Sequence, residues 1–150
     1  MPAIWIVLNR FELADTLFDP PWLMIVDVFE HVNRLSFTAE GEWAALAGLE
    51  ATCGPDGLPG IALAPAALVL PSCRPGALIG KFGGSSANLD DPPAAAAGSP
   101  SAPPSAFAIG TRCVMPLPAD ARGPLFIGFN GRSRPLQVTQ LKLVVAATTI

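Results

Sequence analysis

An all-β fold, two antiparallel sheets packed as a sandwich, is what this sequence predicts, and three observations carry the prediction. From Arg34 to Trp43 polar and apolar residues alternate. Leu35, Phe37, Ala39, Gly41 and Trp43 fall on one face, and Arg34, Ser36, Thr38, Glu40 and Glu42 on the other, the period of a strand with one buried and one wet side. Further runs rich in Val, Ile, Leu and Phe are separated by clusters of Gly, Pro, Asn and Asp, the punctuation expected between strands. No segment sustains a helical period, and 17 prolines with 14 glycines would interrupt any long helix.

In chain order, residues 4–11 add a first strand candidate, whose apolar run stops at Asn9-Arg10. Residues 22–29 form the next, with Asp27 breaking the apolar stretch. The alternating segment ending at Trp43 follows, and then Cys53-Gly54-Pro55-Asp56-Gly57, whose composition is that of a tight surface turn. Residues 76–82, Gly76-Ala77-Leu78-Ile79-Gly80-Lys81-Phe82, read as a glycine-bracketed strand. Residues 85–105 are almost entirely Ala, Pro, Ser, Gly and Asp, a composition that cannot bury enough apolar surface to offset its ordering entropy. They read as a mobile loop inserted between two strands, because β patterning resumes at Phe107. Residues 107–115, 125–130 and 136–146 complete the strands. The rival reading of 85–105, a linker between two domains, leaves too few residues behind it for a core. One domain over residues 1–150 is therefore expected.

Composition limits the function. Apolar residues make up 51% of the chain and charged residues 14%, so some apolar surface is expected to meet a protein partner or a second copy, as in a homo-oligomer. A net charge of -3 supplies no broad basic field, which argues against nucleic acid. No membrane span is expected, since the long uncharged run over residues 58–73 contains Pro59, Pro65 and Pro71. The start carries no basic leader, and its apolar run ends at Asn9-Arg10, too short for a secretory segment. A cytoplasmic location is expected, with export by a non-classical route left open. Three cysteines, at 53, 73 and 113, leave at least one thiol unpaired and suit a reducing compartment; a Cys53–Cys73 bridge stays open for an exported protein.

Catalytic constellations are scarce. The lone His31 lies between Glu30 and Asn33, where two strands turn, and reads as an exposed turn residue rather than a base. Without a second His most triads lose their general base. The cysteines lack any C-x-x-C pair and read as buried or loop thiols rather than zinc ligands. The segment from Gly76 to Lys81 is one residue short of a phosphate-binding loop, and Phe82 replaces the hydroxyl that would ligate magnesium. It reads as a strand whose glycines permit close packing. Glu40 and Glu42 share one strand face, as paired acids of a glycosidase could, but they read as the solvated side of that strand. The chain is not expected to be an enzyme.

The succession Ala39-Glu40-Gly41-Glu42-Trp43, Gly54-Pro55-Asp56-Gly57, the run from Gly76 to Gly83, Phe107-Ala108-Ile109-Gly110 and the run from Gly123 to Asn130 resembles the bacterial galactophilic lectin (LecA-like) family. The resemblance covers the chain from about Trp22 onward. It implies a galactose-binding-type jelly-roll sandwich that binds sugar through one calcium ion, held by acidic and amide side chains between the last two strands. Family members typically carry Asn-Asp there, followed by an Asn-rich turn. In this chain the segment is Phe129-Asn130-Gly131-Arg132-Ser133-Arg134-Pro135-Leu136, in which Asn130 matches, Gly131 takes the place of the key acid, and two arginines replace oxygen donors. Calcium needs six to eight oxygen ligands, so no calcium or other cofactor is expected.

Two functions follow. In the first the chain is a calcium-independent carbohydrate-binding module. An aromatic such as Trp22, Trp43 or Phe129 stacks on the sugar, and Asn130, Arg132 or Arg134 hydrogen-bonds hydroxyl or anionic groups. Trp43 shares the buried phase of Leu35 and Phe37 and reads as core; Phe129, Asn130, Arg132 and Arg134 are the binding candidates, since loops carry function. In the second the sandwich is a structural or protein-interaction domain that has lost the sugar.

Overall fold

The computed structural model describes residues 4–18, 22–27, 32–44, 52–59, 68–70, 72–83, 106–117, 124–131 and 136–148. Its strands are β1 (Ile6–Phe18), β2 (Leu23–Val26), β3 (Arg34–Ala44), β4 (Thr52–Cys53), β5 (Leu78–Phe82), β6 (Ala106–Ala108), β7 (Arg112–Pro116), β8 (Leu125–Phe129) and β9 (Leu136–Thr148). There is no helix among the described residues. One sheet runs β1-β9-β3, with β7 and β4 sharing the far edge of β3, and the other runs β2-β8-β5-β6. Every pairing is antiparallel. The all-β sandwich expected from the alternation is the architecture observed.

The alternation of β3 sets which way that sheet faces. Leu35, Phe37, Ala39 and Trp43 are buried, while Thr38, Glu40 and Glu42 are exposed. On β9 the partners Leu141, Leu143, Val145 and Ala147 point the same way, and Gln140 and Lys142 point out. The opposite sheet answers with Leu78, Leu125, Ile127 and Phe129 in the same core. Aromatic rings bridge the two layers: Phe37 lies 5.7 Å from Phe107 and Trp43 lies 4.7 Å from Phe129, centroid to centroid. Full burial of such side chains stabilises by about 1.5–3 kcal/mol each. Strand β8 is buried on both faces, because Phe126 joins Trp22 and Ile79 in a second apolar cluster. This accounts for its unbroken apolar sequence.

Gly41 is needed where β3 meets β9. A Cβ there would lie 2.2 Å from the Gln140 carbonyl oxygen, and the ladder shifts register between Glu42 and Trp43. A side chain would push the two strands apart.

Several expected boundaries change. Residues 107–115, expected as one strand, are two strands in different sheets. The chain breaks at Gly110, whose φ of 66° is open to glycine and costly for most other residues. The break is latched by Asp56, whose carboxylate accepts hydrogen bonds from Thr111 N at 2.9 Å and Thr111 Oγ1 at 2.8 Å. Strand β1 extends to Phe18 rather than Phe11 because β9 pairs with it out to Leu136. Gly76 and Ala77 belong to a turn, so β5 begins only at Leu78. The short strand β4 was not expected from sequence; Cys53 and Thr52 pair there with Trp43 and Ala44. His31 and residues 85–105 lie outside the described residues. The chain leaves β5 and returns in β6 as hydrogen-bonded neighbours, with Lys81 opposite Ala106.

Candidate functional site

The site predicted at the end of β8 is built on Asn130, the first polar residue after the apolar run Leu125–Phe129. Its backbone joins two segments, with Asn130 N donating to Ala77 O at 2.9 Å and Gly76 N donating to Asn130 O at 2.8 Å. Its side chain is 0% exposed and is wholly engaged by the loop over residues 70–74. Nδ2 donates to the carbonyls of Leu70 (2.9 Å), Cys73 (3.1 Å) and Arg74 (3.1 Å), and Oδ1 accepts from Leu70 N at 2.8 Å. A buried amide with all its groups satisfied fixes the backbone it touches. The same loop is held from the core side, where the Trp43 indole Nε1 donates to Gly76 O at 2.7 Å and the Cys53 thiol approaches that oxygen at 3.8 Å. Ser72 and Arg74 are exposed on this pinned loop, and Cys73 is half-buried beside them.

The predicted residues therefore divide by role. Phe129 is buried against Trp43, and Asn130 organises a loop instead of facing solvent. Trp22 and Trp43 are 1% and 0% exposed, so none of the three aromatics nominated for stacking offers a free face. Trp22 instead lies under the Lys81 ammonium, 5.0 Å from the ring centroid, with Phe126 at 5.1 Å on the same Nζ. That buried contact is the role of the lysine in the Gly76–Lys81 segment. Gly80 packs so tightly on Phe107 that a Cβ would lie 2.5 Å from the ring, in keeping with a close-packed strand. Arg132 and Arg134 lie outside the described residues and follow the buried Gly131.

Arg74 was missed by sequence reasoning. The available signal was its place in Cys73-Arg74-Pro75-Gly76, a turn abutting β5, but nothing in a single sequence joins that turn to Asn130. The three cysteines are free, so the Cys53–Cys73 bridge is not formed. Burial pushes the Cys53 thiol up to about 11 and also raises that of Cys113, which leaves both protonated and weakly nucleophilic at neutral pH. Glu40 and Glu42 stand on the open outer face of their sheet, Glu42 accepting from Thr52 Oγ1 at 2.5 Å. Among the described residues no three His, Cys, Asp or Glu side chains gather as a metal site.

What the loop end can supply is a cation, a hydroxyl and backbone groups on a fixed frame, which suits the binding of an anionic or hydroxyl-rich ligand. No protein-family model matches this chain, and no curated protein matches it significantly.

Proposed function

We propose that the chain is a non-enzymatic, lectin-like carbohydrate-binding module of jelly-roll topology, working without calcium at the loop end that Asn130 organises. The observation carrying this reading is the fourfold engagement of the Asn130 side chain with residues 70–74. It holds the backbone of Arg74 against Asn130, which stands two and four residues ahead of Arg132 and Arg134 in the chain. Arginine suits this task because its planar fork pairs with vicinal hydroxyls, carboxylates or sulfates. The order β1-β9-β3-β7 beside β2-β8-β5-β6 is what two interleaved Greek keys produce, and it supports the jelly roll. Gly131 provides no carboxylate and the neighbouring arginines repel a dication, so the ligand is held by arginine rather than by calcium.

A glycan array probed with and without chelator tests this reading. Binding to acidic or densely hydroxylated glycans that persists in chelator and disappears in the Arg74→Ala, Arg132→Ala, Arg134→Ala triple variant is expected. Binding abolished by chelator, or unchanged in the triple variant, overturns it.

A second reading, a structural or protein-interaction sandwich without a sugar, is favoured by one specific observation. The aromatics that would stack on a sugar are buried, while Ile4, Ile6, Val7, Met24 and Val114 are exposed. An array with no bound glycan selects this reading.

A further inference from the structure

We infer that β1 is a self-recognition edge and that two copies of this chain join their sheets through it, antiparallel, about a two-fold axis passing Phe11. The inference is independent of any sugar ligand.

Edges come first. The second sheet ends in β2 and β6, four and three residues long, and on the far side of β3 the edge is divided between β7 and β4, five and two residues long. Short edge strands are a standard protection against unwanted pairing. Strand β1 is thirteen residues long and, among the described residues, pairs only with β9. Over residues 9–13 no strand among the described residues pairs with the side away from β9. The start of β1, together with the two residues before it, is apolar and open to solvent, with Ile4 70% and Ile6 61% exposed and Trp5, Val7 and Leu8 also exposed.

Charge selects the partner. Arg10 and Glu12 are both exposed and both lie on the outer face of the sheet, opposite Val144 and Lys142 of β9. Two antiparallel copies of one strand must be related by an axis through a residue, since facing residues share the same hydrogen-bonding phase. An axis at Arg10 sets two arginines opposite each other, and an axis at Glu12 sets two glutamates opposite each other. An axis at Phe11 sets Arg10 opposite Glu12 twice, with Asn9 opposite Leu13 and Phe11 opposite Phe11. Opposite charges directly across an antiparallel pair stabilise, and like charges destabilise. The half-buried side chains of Phe11 and Leu13 pack at the margin of the core, and a second copy would complete their burial. Such a contact is isologous and closes as a dimer. The bulge at Val7/Asn9 ends strict register beyond Asn9.

Sedimentation analysis of the full chain, with thermal melts to confirm folding, tests the inference by charge exchange. The wild-type chain is expected to dimerise. Arg10→Glu and Glu12→Arg, each turning two attractive pairs into two repulsive ones, are expected to weaken the dimer at least about tenfold. The double variant Arg10→Glu, Glu12→Arg, which restores both pairs with signs exchanged, is expected to recover it. A wild-type chain that stays monomeric at the highest soluble concentration overturns the inference. So does a dimer indifferent to the single reversals, or a double variant as weak as the singles.

Discussion

Phe37 and Thr38 are adjacent on β3 and face opposite ways, the first buried and the second exposed. Phe37→Ala is expected to cost about 3 kcal/mol through lost burial and the cavity left beside Phe107, and Thr38→Ala well under about 1 kcal/mol. Urea unfolding of both variants checks this, and equal losses would mean that the outer face is buried too. Asn130 tests the polar side of the same packing. Asn130→Ala leaves Leu70 N and three loop carbonyls without their partner, which is expected to cost about 3 kcal/mol. Asn130→Asp keeps an acceptor for Leu70 N but turns a carboxylate toward those carbonyls, and is expected to cost at least as much. Cys53 makes a third, pH-dependent case. Its folded pKa, about 11, exceeds the ordinary thiol value of about 8.5. The stability this thiol contributes is therefore complete below about pH 8.5 and is lost as pH rises through about 11. Cys53→Ala is expected to remove that part of the alkaline decline, read as the difference between the two proteins in melts from pH 7 to about 11.

At the scale of elements, what was legible is what local pattern determines. The β3 alternation predicted both the strand and its buried face, because period two with one wet side has a single consistent placement. The apolar runs at β5, β8 and β9 were placed to within a few residues. What was not legible depends on distant partners. The break at Gly110 is fixed by Asp56, 55 residues away in sequence from Thr111, and local propensity across residues 107–115 is uniformly β. The far end of β1 and the two-residue β4 exist because β9 and β3 extend opposite them. The site followed the same rule: Asn130 was nominated by the lectin resemblance and its loop position, but its inward commitment to residues 70–74 and the consequent placing of Arg74 come from contacts 56 to 60 residues apart. The β5–β6 connection gives an element-scale prediction. Lys81 and Ala106 face each other, so the chain between Phe82 and Ala106 starts and ends at one end of a formed ladder. Closure entropy varies only logarithmically with its length. Replacing residues 87–102 by a short Gly-Ser turn is expected to leave the melting temperature nearly unchanged; a large fall would show that these residues contribute to the core.

For the whole molecule, the question is what the sandwich presents outward. Its two sheets spend their aromatic rings on the interior, with Trp43, Phe129 and Phe37 in the shared core and Trp22 with Phe126 in the second cluster. On the proposed function and self-association, recognition falls to the Asn130 loop end and to the β1 edge. At the Asn130 end the available groups are Ser72, Cys73 and Arg74, followed in the chain by Arg132 and Arg134, a set rich in donors and poor in carboxylates. A ligand that binds only the folded state raises the melting temperature in proportion to RT ln(1 + [L]/Kd). Millimolar calcium is therefore expected to raise the melting temperature no further than a sodium chloride control of matched ionic strength. An acidic oligosaccharide is expected to raise it saturably, with the effect lost on Arg74→Ala, Arg132→Ala, Arg134→Ala. Saturable stabilisation by calcium would overturn the arginine-based site, because it requires oxygen ligands where this chain offers cations, whereas stabilisation by the acidic sugar alone would fix the sign of the ligand's charge as the property the loop end selects.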